Sequence, residues 1–243
     1  LDADNNVLRT IVKYPSRGLI YDRKGELLVF NEAAYDLMFI PKQLPDEFDT
    51  TGFCELLEIP KEQFIQKVKK AKDFSYYKAS VFEKEISALS YAKIQEQLFN
   101  YPGFYVQTRT LRTYPKKTAA HVLGYVGEVN PSTIEKNDYY SSGDYIGISG
   151  IEKEYEEALR GKRGVEMQMV DVFNRSKGKF MGGAYDSTAV SGSNLQLTID
   201  AKLQQYGEEL MQNKKGSIVA IDPSTGEILA LVTMPTYDPN LLV

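Results

Sequence analysis

Residues 216–235 read Gly216-Ser217-Ile218-Val219-Ala220-Ile221-Asp222-Pro223-Ser224-Thr225-Gly226-Glu227-Ile228-Leu229-Ala230-Leu231-Val232-Thr233-Met234-Pro235, and Tyr237-Asp238-Pro239-Asn240 follows. Two apolar runs flank a polar stretch, the pattern of two strands joined by a tight turn. Pro223 fixes φ at the first corner, and Gly226 is free to take a left-handed position leading into the return strand. Ile218, Val219, Ile221, Ile228, Leu229, Leu231 and Val232 give the hairpin a near-continuous apolar content, which suits strands buried on both faces. A hairpin of this kind with nothing over it leaves apolar surface or an open edge and favours self-association.

Upstream of the hairpin, Leu195-Gln196-Leu197-Thr198-Ile199 reads as a strand. Asp200 is placed to cap a helix with Leu203, Tyr206, Leu210 and Met211 on one face, and Lys214, Lys215 and Gly216 suit its end. Gly182-Gly183-Ala184-Tyr185-Asp186 is the best candidate for a domain boundary. Before it, Val165 to Phe173 alternates as a strand. Ser149-Gly150-Ile151-Glu152 has the form of a capping box opening a helix with Ile151, Tyr155, Ala158 and Leu159 on its apolar face and Gly161 at its end. Thr118 to Leu123 reads as a short helix stopped by Gly124, and Phe104 to Leu111 as a half-buried strand. Residues 41–100 read as helical, with one helix after Pro60 carrying Phe64, Ile65, Val68 and Ala71 and a second from Ser87 to Leu98 carrying Tyr91, Ile94 and Leu98. Near the start, Leu19-Ile20-Tyr21 and Leu27-Leu28-Val29-Phe30 flank Asp22-Arg23-Lys24-Gly25 as a hairpin, and Tyr35 to Ile40 suits a third strand stopped by Pro41. The fold class is α+β.

The chain has 243 residues, 42% of them hydrophobic and 12% aromatic, enough for a substantial core. A net charge of −4 argues against a nucleic-acid surface, which is usually basic. Lys67, Lys69, Lys70 and Lys72 form the densest basic group, and on a helix they read as a solvated face. A single cysteine, Cys54, excludes an internal disulfide and a thiolate zinc site. Cys54 and the single histidine, His121, could form a thiol–imidazole pair, but their apolar surroundings favour a buried hydrophobe and a structural histidine. Glu156/Glu157 and the group Asp46, Glu47 and Asp49 lack calcium-loop spacing. Gly143, Gly147 and Gly150 lack the lysine ending of a phosphate loop and are better read as turn positions. No cofactor or metal is expected. No apolar run reaches the roughly 20 residues that span a bilayer.

Four segments, in order, resemble class B penicillin-binding proteins. They are Arg17-Gly18-Leu19-Ile20-Tyr21-Asp22-Arg23-Lys24-Gly25-Glu26-Leu27-Leu28, then Arg112-Thr113-Tyr114-Pro115 with Ala119-Ala120-His121-Val122-Leu123-Gly124-Tyr125-Val126-Gly127-Glu128-Val129, then Gly147-Ile148-Ser149-Gly150-Ile151-Glu152-Lys153-Glu154-Tyr155-Glu156 with Leu159-Arg160-Gly161 and Gly164, and last Leu197-Thr198-Ile199-Asp200-Ala201-Lys202-Leu203-Gln204 running into the hairpin with Asp222 and Gly226. The second and third are closest to the elongation-type penicillin-binding protein 2. The resemblance implies a pedestal, or dimerisation, domain at residues 1–190 with a helical head insertion at 41–100. Residues 191–243 would then be the start of a transpeptidase domain. The family cross-links peptidoglycan stem peptides by acyl transfer through a serine ester, on the periplasmic side of the membrane behind one N-terminal anchor. Its implied partners are a SEDS-type, RodA-like glycan polymerase and an MreC-like scaffold. The alternatives are a division-type pedestal and a free-standing envelope adaptor.

The family's serine and lysine stand one helical turn apart, so that the lysine can take the serine proton. This sequence has three such spacings, Ser75/Lys78, Ser90/Lys93 and Ser176/Lys179, and lacks Lys-Thr-Gly; Lys117-Thr118-Ala119 misses the glycine. All three precede the Tyr237–Asn240 segment, whereas the family's motif follows it, so the nucleophile is expected beyond Val243. A complete hydrolase using Ser90 and Lys93 is the enzymatic rival. Arg17, Asp22, Arg112 and Glu152 are the candidates for ion pairs or hydrogen bonds holding the pedestal together. An apolar groove between the Leu19–Phe30 hairpin and the Phe104–Leu111 strand is the candidate partner surface.

Overall fold

The structure, a computed structural model, describes residues 7–45, 47–77, 79–140, 143–170 and 176–242. In chain order the strands are β1 (Val7–Lys13), β2 (Ile20–Tyr21), β3 (Leu27–Phe39), β4 (Ser80–Ile86), β5 (Phe104–Thr113), β6 (Val126–Glu128), β7 (Tyr145–Gly147), β8 (Gly164–Val170), β9 (Ser176–Lys179), β10 (Leu195–Gln196), β11 (Gly216–Ile221) and β12 (Ile228–Met234). The helices are α1 (Thr50–Leu57), α2 (Lys61–Phe74), α3 (Ala88–Gln97), α4 (Ala120–Leu123), α5 (Pro131–Lys136), α6 (Gly150–Glu154), α7 (Glu156–Arg160) and α8 (Ala201–Leu210). The class is α+β, as the sequence predicts. The chain divides into two compact units, one from the described parts of residues 1–32 and 111–243, the other from residues 33–110. Strands β3 and β5 run through both.

In the first unit, β1 pairs antiparallel with β8, and β8 with β9. Ile20 of β2 pairs with Val29 of β3, while β10 lies parallel to β2, with Leu195 opposite Ile20. The core holds Ile20, Leu28, Val29, Tyr114, Ala119, Leu123, Leu159 and Ala201. The terminal hairpin is β11 and β12, antiparallel with Gly216 opposite Met234. Its turn has Gly226 at φ 76°.

Two expectations in this unit change. The strand read at 195–199 shortens to β10. The strand read from Val165 to Phe173 is present as far as Val170, and its end at 171–173 lies outside the described residues. Leu203, Tyr206 and Leu210 of α8 are 38%, 58% and 48% exposed, and the helix buries Ala201, Gln204 and Gly207 instead. The reason is close approach: a side-chain carbon on Gly207 would stand 2.7 Å from Val232 Cγ2, so the small residues face the strand.

The second unit packs around aromatic rings. Phe53 lies tilted against Phe104 with centroids 4.3 Å apart, and Phe39 stacks on Phe104 at 4.6 Å. Phe64 and Phe82 complete the cluster. Residues 41–100 are not all helical. Ser80–Ile86 is a strand, with Leu37 opposite Glu83 and Phe39 opposite Ser80. Its period-two signal is short: Phe82 is buried and Val81 exposed, inside a stretch rich in Lys and Glu. Tyr35–Phe39 is the far end of β3, not a separate strand. Pro60 sits at the N-cap of α2, and Ile65 is exposed while Phe64, Val68 and Ala71 are buried. Of the residues expected to line a partner groove, Leu28 and Val29 are buried in the first unit's core and Phe104 in the second unit's core.

Candidate functional site

The first unit gathers its candidate residues around Glu152, in α6, whose side chain has no solvent exposure. Arg17 Nε donates to Glu152 Oε2 at 2.7 Å, and Arg112 Nε, at the end of β5, to Oε1 at 2.6 Å. Arg17 Nη2 also reaches the Glu152 carbonyl at 2.9 Å and Glu156 Oε2 at 2.6 Å. Arg112 Nη1 donates to Asn31 Oδ1 at 3.0 Å, and Asn31 Nδ2 to the Arg17 carbonyl at 2.5 Å. Glu156 accepts further from Tyr140 Oη and from the Gly147 N–H, both at 2.9 Å. Two guanidiniums and two carboxylates thus neutralise each other in a nearly closed network. Burial works against the Arg17 charge, but Glu152 and Glu156 more than offset it and its pKa is raised. At Arg112 burial wins over Glu152, and the pKa falls.

This corrects the capping box. Ser149 does stand at the N-cap of α6, but its hydroxyl makes no capping bond, and Glu152 turns inward to the arginines. Charge-assisted bonds to two guanidiniums are stronger than one bond to a backbone N–H. The sequence reading also paired Glu156 with Glu157, which the structure separates: Glu156 is buried and Glu157 faces solvent. The missed signal was the four-residue spacing of Glu152 and Glu156, which on the single helix read from Ser149 to Gly161 puts both on one face; the structure breaks that helix at Tyr155, between α6 and α7, and both carboxylates still reach Arg17.

Among the described residues Asp22 has no ion-pair partner. Its Oδ1 accepts from the N–H groups of Lys24 (2.8 Å) and Glu26 (2.7 Å), and Oδ2 from that of Ala201 (3.2 Å). Burial opposes its charge, but these N–H donors hold the carboxyl below the usual range. Asp200 caps α8 through the N–H groups of Lys202 and Leu203, and meets Lys24 Nζ at 2.6 Å. Asp222 holds the hairpin turn, accepting from the Ser224 N–H at 2.8 Å.

Among the motif glycines, Gly124 closes α4 at φ 74°, where a side-chain carbon would stand 1.8 Å from the Ser149 carbonyl oxygen. Gly18 likewise passes the Ser193 carbonyl, at 1.9 Å. Gly25 lies in the β2–β3 turn, Gly127 in β6, Gly150 at the start of α6, Gly161 after α7 and Gly164 at the start of β8.

Tyr114 and Pro115 follow β5. Tyr114 is buried; its N–H donates to Asn240 Oδ1 and its carbonyl accepts from Asn240 Nδ2, both at 2.9 Å. Nearby, Tyr237 Oη donates to the Ala120 carbonyl at 3.0 Å, His121 Nε2 lies 3.0 Å from the Pro235 carbonyl, and Lys117 Nζ meets Asp238 Oδ2 at 2.8 Å. Sequence reasoning quoted Asn240 only as part of a motif. No periodicity links it to Tyr114.

Among the described residues, Ser90 and Lys93 form no nucleophile–base pair. Ser90 and Lys93 line a cavity of about 270 Å³ in the second unit with Leu57, Glu58 and Glu83. Ser90 Oγ meets Ser87 Oγ at 2.9 Å, and Lys93 Nζ is 3.8 Å from Glu58. Lys179, on strand β9 and not a helix, meets Asp186 at 3.1 Å. Lys78 and Asp46 lie outside the described residues. Cys54 is buried in the second unit's core, where burial pushes its thiol up. Asp49 caps α1. Among the described residues, no group of three or more His, Cys, Asp or Glu could hold a metal, and no helix is long and apolar enough to cross a membrane.

Residues 12–197 match the profile of the penicillin-binding protein dimerisation domain. The chain is 32% identical, over 99% of its length, to peptidoglycan D,D-transpeptidase MrdA of Escherichia coli, and covers 39% of that protein. It is 33% identical to MrdA of Acinetobacter baumannii, covering 36% of it, and 30% identical to penicillin-binding protein 3 of Bacillus subtilis, covering 35%. It therefore spans about two fifths or less of these relatives. A solved complex of PBP2 and MreC from Helicobacter pylori is similar in structure, with a TM-score of 0.75 and 25% identity over 96% of this chain and 44% of that one. With the matched profile spanning β2 to β10 and enclosing the whole Glu152 network, the chain belongs to the penicillin-binding protein dimerisation domain family.

Proposed function

We propose that the chain is the non-catalytic pedestal of an elongation-type peptidoglycan D,D-transpeptidase, with residues 1–190 as pedestal, 41–100 as its head, and 191–243 as the start of the catalytic domain. The observation that carries this is the collinear match to MrdA across 99% of the chain. The network around Glu152 gives the pedestal a fixed polar core. The pedestal would work on the periplasmic side, behind a single N-terminal anchor, holding the catalytic domain where it meets stem peptides. An MreC-like scaffold is the favoured partner, because the similar solved structure is a complex with MreC. A RodA-like polymerase is the second partner, on the family resemblance alone.

A fluorescent penicillin tests the reading. The full-length protein should take up one label per molecule, and residues 1–243 none. A covalent adduct on Ser90 or Ser176 of the 243-residue chain would overturn it. For the partner, residues 1–243 should retain an MreC periplasmic domain in a pull-down.

A further inference from the structure

We infer that Asn240 is a positioning residue, whose carboxamide sets the segment after the terminal hairpin on the end of β5. The inference rests on the transpeptidase reading above, in which the nucleophile follows this segment. The geometry carries it. One carboxamide takes both backbone groups of a single residue, Tyr114, each at 2.9 Å. That double contact has one register, since a one-residue slip would leave the amide facing mismatched donors and acceptors. Asn240 is itself oriented, its Nδ2 also 2.9 Å from Asp238 Oδ1, and Asp238 is held by Lys117.

The other side of the latch is equally fixed. Arg112, two residues before Tyr114, is bonded to Glu152, which also binds Arg17. A run of polar contacts therefore reaches from the loop before β2 to Asn240. The same stretch carries costs that apolar packing would remove. Arg112 Nη2 and Tyr114 Oη are both buried with no hydrogen-bond partner among the described residues. Native proteins hold few such groups. Burial accordingly pushes the Tyr114 phenol far above its ordinary range.

Two measurements test the inference. The first is hydrogen exchange on the 243-residue chain. In Asn240→Ala the Tyr114 amide should exchange at least about tenfold faster. The Leu231 amide, bonded to Gln204 Oε1 at 2.7 Å, should not change. Equal exchange at Tyr114 would overturn the latch. The second is acylation of the full-length protein by benzylpenicillin, read as a rate per titratable site. Misplacement of reacting groups costs rate steeply, so Asn240→Ala should lose about tenfold or more while one site per molecule still titrates. Asn240→Asp, which keeps the acceptor but sets a carboxylate against the Tyr114 carbonyl, should match it. A merely structural residue would lower the number of titratable sites and leave the rate per site intact; that result would overturn the positioning role. Failure of the wild-type protein to acylate would overturn the transpeptidase reading, and the positioning role with it, while the exchange result would still decide whether the latch exists.

Discussion

Glu152 holds two guanidiniums from inside a fully buried position, so its removal is expected to be worse than the loss of one bond. Glu152→Ala leaves Arg17 and Arg112 as excess buried charge, and breaking a buried pair this way costs about 3–5 kcal/mol. Glu152→Gln keeps the shape and one acceptor and should cost less. Urea unfolding of both variants checks the order; an alanine variant within about 0.5 kcal/mol of wild type, the range of ordinary surface changes, would refute the network's importance. The sequence named three members, Arg17, Arg112 and Glu152, as candidates for such contacts, but by motif and not by geometry. Arg17 and Glu152 are 135 positions apart, and no local pattern joins them. Glu156 was misjudged because an adjacent glutamate drew it into a surface pair, although its spacing from Glu152 already held the answer.

At the scale of elements, the turn between β2 and β3 and the first turn of α8 are held by two carboxylates, Asp22 and Asp200. Both sit below the ordinary carboxylate range: Asp22 through backbone N–H donors that overcome its burial, and Asp200 first through Lys24. A carboxyl with a lowered folded pKa stabilises fully above its unfolded value, near about 3.9, and loses that contribution as pH falls through the folded value. Stability should therefore drop as pH is taken below about 4. Asp22→Asn should flatten that acid limb, because the amide retains an acceptor that does not titrate. An acid limb unchanged in Asp22→Asn, measured by urea midpoints from pH 5 downwards, would assign it elsewhere. Elements with a long, clean period were legible: α2, α3, β5, α8 and the terminal hairpin all stand where the pattern puts them, within a few residues. Strand β4 was hidden, since seven residues with one buried aromatic do not outweigh the helical stretches on either side. The inward face of α8 was hidden for a different reason. Hydrophobicity named Leu203, Tyr206 and Leu210, but contact with β12 selects what fits: Gly207, and Gln204, which bonds both backbone groups of Leu231.

For the whole molecule, those exposed apolar faces have a consequence. Val219 and Ile221 on β11 are 52% and 55% exposed, in addition to the outward residues of α8. The far side of β12 is occupied: Leu229 accepts from the Asp200 N–H at 2.8 Å, and Leu231 is bonded to Gln204. β11 is therefore the outer strand of a two-stranded sheet, and apolar outer strands pair with other chains. The 243-residue chain is expected to self-associate as concentration rises. Deleting residues 192–243 is a poor test, because Ala201 belongs to the first unit's core and its loss would damage the pedestal. Charge placed on the outer strand is cleaner. Val219→Lys with Ile221→Lys should abolish the rise in mass seen by light scattering, with unfolding free energy within about 0.5 kcal/mol of wild type, as expected for exposed positions. A wild-type chain that stays strictly monomeric at high concentration would refute the expectation. A doubly charged variant that associates as before would refute β11 as the contact and move it to α8, where Leu210→Asp would then be the variant to lose it.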